Sequence, residues 1–261
     1  MASPTDAGRI TSNFTSNLDP WTVDLPASIA AGNLLIAVGR ASNNARTFNL
    51  PSGWSWIVQN NTADATAHTT SVICRYADGS EGATLSWDLS GTAKGASLCW
   101  RITGGENPGT QLPEAQIATG TGANPDPPSI APTGGSKDYL FLVFGGMDGE
   151  AQTYTLPASY SNSTGTAHSS TGGTDDTNCR IAGGGRALTA SSTDPGAFTA
   201  AAAFSGWTAI TIAVHPPAPV PLGGTANTNT AKYAGTLGAE SNTSAYGGST
   251  LGAQSNTATY P

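Results

Sequence analysis

Leu34-Leu-Ile-Ala-Val-Gly39 decides how this chain is read, because the chain states it twice. A second apolar run, Leu140-Phe-Leu-Val-Phe-Gly145, stands 106 positions later, and Leu50-Pro51 is answered at the same distance by Leu156-Pro157. Thr66-Ala-His-Thr-Thr70 returns as Thr166-Ala-His-Ser-Ser170, and Cys74-Arg-Tyr-Ala-Asp-Gly79 as Cys179-Arg-Ile-Ala-Gly-Gly184. The offset falls at the histidines and is nearly restored at the cysteines, which is the mark of loops of unequal length. These matches predict two internal repeats of an all-β unit. Both runs are apolar at consecutive positions, so each is expected at the centre of a sheet covered on both faces.

Around the runs the period is two. Trp21-Thr-Val23-Asp-Leu25, Val72-Ile-Cys74-Arg-Tyr76, Ala83 to Leu89, Ala96 to Ile102 and Ala209 to Val214 alternate in hydropathy, with glycine and proline between them. The fold class expected is all-β, an antiparallel β-sandwich with a single joint core. Residues 1–13 are polar and read as an N-terminal arm. The sandwich is expected over 14–216, with repeat A at about 14–103, a proline-rich connection at 104–132 and repeat B at about 133–216. Gln111 to Ile117 in the connection is suited to an edge strand. Pro216-Pro-Ala-Pro-Val-Pro221 is extended polyproline, and 217–221 is read as a linker.

Beyond the linker, 222–261 repeats in a different way. Leu222, Leu237 and Leu251 each open a Leu-Gly unit, and Tyr233, Tyr246 and Tyr260 follow in step. Units with two apolar anchors cannot bury enough surface to offset an ordering cost of about 1–2 kcal/mol per residue. The tail is therefore expected to be an attachment device whose core is supplied by other proteins, with those six residues as partner-binding anchors.

Only 10% of the residues are charged, the net charge is −7 and the pI is near 4.7. Ten scattered basic residues do not make a phosphate-binding patch, so a nucleic-acid partner is not expected. No apolar run reaches the length of a membrane span, and the first residues lack a signal-peptide h-region. Synthesis in the cytoplasm without a signal peptide follows as an expectation. Three cysteines make a poor disulfide framework, and buried free thiols are expected, with a Cys74–Cys99 pair as the alternative.

The chemical motifs are few. The histidines have no metal-ligand spacing, no serine sits in a nucleophile elbow, and Gly183-Gly-Gly185-Arg186 lacks the helix and Gly-Lys-Ser/Thr of a phosphate loop. No catalytic, cofactor-binding or metal-binding residue is assigned, and no cofactor is expected. His68 and His168 are read as inherited from one ancestral loop. Trp54 and Trp56 stand two apart; they are read first as core residues, and alternatively as a stacking platform for a host surface glycan.

The stretch Val23-Asp-Leu-Pro-Ala-Ser-Ile-Ala-Ala-Gly-Asn-Leu-Leu-Ile-Ala-Val38, followed by Leu50-Pro-Ser-Gly-Trp54, resembles a pattern of tailed-bacteriophage structural proteins. In that pattern a Leu-Pro precedes an Ala-Gly-Asp-Leu-Leu turn and strand and then Pro-x-Gly-Trp; here Asn33 stands at the usual Asp. The resemblance covers about 14–216. It implies a virion β-sandwich of jelly-roll type, in capsid decoration or in the tail, present in many copies or as a homo-oligomer and bound to other virion proteins. It carries over no catalytic residue. The alternative function is a receptor- or carbohydrate-binding module of the virion.

Overall fold

The structure is a computed structural model that describes residues 3–42, 46–62, 68–149, 154–161, 167–168, 178–200 and 204–218. The chain divides into two units, Met1–Pro219 and Val220–Pro261, and the second lies outside the described residues. Fourteen strands and no helix occur among the described residues. In chain order they are β1 Thr5–Leu18, β2 Trp21–Asp24, β3 Leu34–Ser42, β4 Ser55–Asn61, β5 Thr69–Tyr76, β6 Thr84–Trp87 and β7 Ala93–Thr103. Then come β8 Glu114–Gly122, β9 Lys137–Asp148, β10 Tyr154–Thr155, β11 Ala167–His168, β12 Cys179–Ala190, β13 Thr199–Ala200 and β14 Phe204–Val214.

Two five-stranded antiparallel sheets dominate. The first runs β1-β7-β3-β5-β4 and the second β11-β12-β9-β14-β8. Read from the earliest strand of each, both place their members by chain order as first, fifth, second, fourth, third. The repeated runs occupy the centres: β3 pairs with β5 and β7, and β9 with β12 and β14.

Alternation explains why β3 is buried throughout. Leu34, Ile36 and Val38 turn inward, where they join Val72, Cys74, Leu98, Trp100 and Ile102 with Leu140, Leu142, Phe144, Ile181, Ile210 and Ile212 in one apolar cluster. That cluster draws on both five-stranded sheets and packs them face to face. Leu35 and Ala37 turn the other way, under the two-stranded β2-β6 sheet, with Trp21, Val23, Leu85 and Trp87. On the far side Tyr139, Phe141 and Val143 of β9 meet Ile130, Tyr160 and Phe198.

Glycine is required where these covering layers press on the central strands. A Cβ on Gly39 would stand 2.9 Å from both Phe48 and Trp87, and one on Gly145 would stand 3.0 Å from Phe198. The rings over Gly39 continue as a chain of aromatics: Phe48 lies 4.6 Å from Trp87 and 5.2 Å from Trp21, which stacks on Phe14 at 4.2 Å.

One expectation is corrected, and one alternative is excluded in favour of the free buried thiols expected. The N-terminal arm assigned to 1–13 is largely strand, because β1 begins at Thr5 and pairs with β7 from Thr5↔Thr103 onward. Its polar side chains hid it: backbone pairing satisfies the strand, and the apolar side chains it packs on the outer cluster are Ile10 and Phe14, while Leu18 is exposed. A Cys74–Cys99 disulfide is ruled out, since Cys74 belongs to the inner cluster and Cys99 to the outer one, on opposite faces of the first sheet. The connection after β7 supplies edge strand β8, beside β14.

Candidate functional site

The most concentrated polar chemistry lies inside, at one end of the shared core. Arg40 follows Gly39 in β3 and, two positions beyond Val38, points inward between the large sheets with no exposure. Its guanidinium donates to Asp148 Oδ1 at 2.9 Å, to Thr208 Oγ1 at 3.0 Å and to Thr70 Oγ1 at 3.2 Å. His68 Nδ1 lies 3.0 Å from the same Asp148 oxygen, and Cys179 Sγ donates to the Arg40 carbonyl at 3.5 Å. Arg40, His68 and Thr70 come from the first half of the chain, and Asp148, Cys179 and Thr208 from the second. Gly146 makes room, because a Cβ there would meet Arg40 Cδ at 2.6 Å.

A buried charge is tolerated when it is paired and hydrogen-bonded, and removing one partner of such a pair costs about 3–5 kcal/mol. Arg40, Asp148 and His68 have no exposure, so the cluster acts on the protein itself. It is a polar bolt between the two sheets.

A second polar group lies on the outer side of the first sheet. Arg75 Nε donates to Glu81 at 2.8 Å and its Nη2 to Asp78 at 3.1 Å. Burial raises the Glu81 carboxyl, but the backbone N–H donors of Asp78 and Gly79 and the Arg75 guanidinium outweigh it, and the net shift is downward. Beside this pair is a shallow depression of about 260 Å³ that includes Trp54 and Ser52. Trp54 is only 7% exposed and belongs to the outer core, and Trp56 is half-buried against the same cluster. The six tail anchors, Leu222, Tyr233, Leu237, Tyr246, Leu251 and Tyr260, lie outside the described residues.

The third group sits where the chain leaves β14. Glu106 N donates to the His215 carbonyl at 2.9 Å, and Ala218 N donates to the Glu106 carboxylate, so the Pro216-Pro217 step is fastened at both ends. His215 Nε2 lies 2.9 Å from Glu114 Oε1, which also accepts from the Thr133 backbone at 2.9 Å. The imidazole meets the Tyr139 ring edge-on at 5.3 Å. Burial holds the His215 pKa below its ordinary 6.5, against the pull of Glu114. Burial also raises Glu114, but the Thr133 donors and His215 overcome it and leave that carboxyl below 4.5.

No protein-family model, no curated protein and no solved structure matches this chain. Sequence reading left Arg40, Asp148, Glu114 and His215 unassigned. One signal was present: Arg40 is a cation on the inward phase of an otherwise apolar strand, where the second run carries Gly146.

Proposed function

We propose that this chain is a non-enzymatic virion structural protein of a tailed bacteriophage, of the capsid-decoration or tail-associated type. In this reading its sandwich is a jelly roll made by duplication, present in many copies per particle, and it docks on other virion proteins through 222–261. The duplication draws support from the common strand order of the two sheets and from the matched glycines, Gly39 and Gly145, each lying under an aromatic ring. The resemblance of 14–216 and the sparsely charged surface favour the virion.

The observation that carries the reading is the bolt. Arg40, His68 and Asp148 link the two halves from inside with no exposure, and in this reading the sandwich is a rigid block. The chain then departs from a fixed point, Pro216 to Ala218 held on Glu106. A rigid block with a fastened exit into a repetitive Leu/Tyr segment has the layout of an attachment protein.

Deletion of 222–261 tests this directly. The truncated protein is expected to keep its circular dichroism and melting transition and to lose incorporation into particles. Electron microscopy of purified particles should place the sandwich on the head or the tail. Wild-type occupancy of the truncated protein would sink the reading.

A further inference from the structure

Four partly buried apolar side chains flank the shared core: Ile57 and Val58 of β4, and Ala115 and Ile117 of β8. β4 and β8 are edge strands of the two large sheets, and they approach each other. A change of register between Trp56 and Val58 lets consecutive residues of β4 reach the same core. Among the described residues the inner core is therefore left part-open along the β4–β8 seam.

The edges of the two large sheets differ in how they are guarded. An open edge invites pairing with another chain, and proteins blunt it with short strands, bulges and charges. β11 is two residues long. β4 has two register shifts against β5, and Asn60 within it has a φ of 44°. β1 has two shifts against β7 and carries the Asp6–Arg9 ion pair. β8 has none of these devices from Glu114 to Gly120, where its register with β14 is unbroken. Its one charged residue is Glu114, and that carboxylate is taken up by His215 and Thr133. Among the described residues no strand pairs with β8 on the side away from β14, so about half of its backbone N–H and C=O groups point outward along a half-exposed strand.

We propose that β8 pairs antiparallel with β8 of a second copy of this chain, about a two-fold axis at Ile117, the midpoint of the unbroken stretch. In that register Ile117 meets the partner's Ile117, Gln116 meets Ala118, Ala115 meets Thr119 and Glu114 meets Gly120. No like charges oppose, and every pair except the central one has a small member. The pairing makes the two β11-β12-β9-β14-β8 sheets continuous and brings the β4–β8 seam of each copy to the axis, where Ile57 and Val58 gain cover. A two-fold contact uses the same patch on both copies and closes at two, and the guarded edges do not extend it. The inference rests neither on the virion reading nor on 222–261.

Sedimentation equilibrium of the full-length protein is expected to show a concentration-dependent monomer–dimer equilibrium. Ile117→Lys puts like charges face to face in place of an apolar pair, and it should weaken the dimer at least about tenfold with the circular dichroism unchanged. Ile117 also packs on the core, so cross-linking supplies a second readout that does not depend on that variant folding. The native cysteines are buried, and facing Cβ atoms of paired strands lie about 4.5–5.5 Å apart, close enough for oxidation of Ile117→Cys to give a covalent dimer. Thr121→Cys is exposed on the same strand but lies beyond the paired stretch, and it should stay uncross-linked. A monomer at every concentration, a trimer or larger assembly, or equal cross-linking of the two cysteine variants would overturn the proposal. So would a dimer that persists in folded Ile117→Lys, as it would if 222–261 held the copies together.

Discussion

The runs Leu34–Arg40 and Leu140–Gly146 hold the same place at the centres of their sheets, yet they end in opposite ways. The first ends in the largest cation of the alphabet and the second in no side chain at all, and the two meet: Arg40 occupies the volume that Gly146 leaves. The pattern extends across the interface. Leu98 and Trp100 project from β7, while on β12 an added Cβ at Gly183 would stand 2.5 Å from Leu98 and 2.8 Å from Trp100. Two like faces of the first kind would clash, and two of the second kind would leave voids. Similar strand order with complementary side-chain size therefore specifies that unlike halves pair.

The largest effect is expected from breaking the bolt on one side. Asp148→Ala takes the Asp148 carboxylate away from the buried Arg40 guanidinium and His68, and denaturant unfolding should show a loss of about 3–5 kcal/mol. The paired change Arg40→Met with Asp148→Leu removes both charges and is expected to recover most of that loss, since apolar replacement of a buried pair is often neutral or stabilising by roughly 1–4 kcal/mol. A double variant as unstable as Asp148→Ala would show that the packing around the bolt, and not its charge, decides stability.

The outer layers give the next comparison. Gly39→Ala forces a methyl against two rings, Phe48 and Trp87, and Gly145→Ala against Phe198 alone. Overpacking of this kind costs about 1–3 kcal/mol, and Gly39→Ala should fall at the upper end with Gly145→Ala below it. Thermal unfolding of the two variants under one set of conditions ranks them, and the reverse order would mean that the β2-β6 cover yields more easily than the segment carrying Phe198.

Much of this architecture was legible because it rests on local signals. The doubled run placed β3 and β9 at sheet centres, and alternation over 96–102 and 209–214 gave β7 and β14, their neighbours. What escaped depends on distant partners. Asp148 stands 108 residues from Arg40, and nothing in a single sequence states that the two meet. The same applies to His215 and Glu114, 101 residues apart. β1 was missed for a different reason: an edge strand whose backbone is satisfied by β7 does not need an apolar face to form. Trp54 and Trp56 were separable in principle, since a strand start after Pro51-Ser-Gly53 suits a ring that tucks under the turn, and Trp54 is the more buried of the two.

The smallest effect expected concerns the chain exit, where charge is tuned by burial and not by a bolt. His215 has a folded pKa below its unfolded 6.5, so between those values the unfolded chain binds more protons than the folded one. Stability from this group is fully present above 6.5 and is lost as pH falls through the folded value. Glu114 acts in the same direction at lower pH: its folded pKa lies below 4.5, so its contribution is present above 4.5 and lost as it protonates. A melting temperature followed from pH 7.5 to pH 4 should therefore fall in two stages, with the upper one beginning near 6.5. His215→Gln keeps a donor for Glu114 without a titrating ring, and it should flatten the upper stage while the lower one persists. An unchanged upper stage in that variant would assign it to another histidine, and the burial of His215 would then carry no linkage to folding.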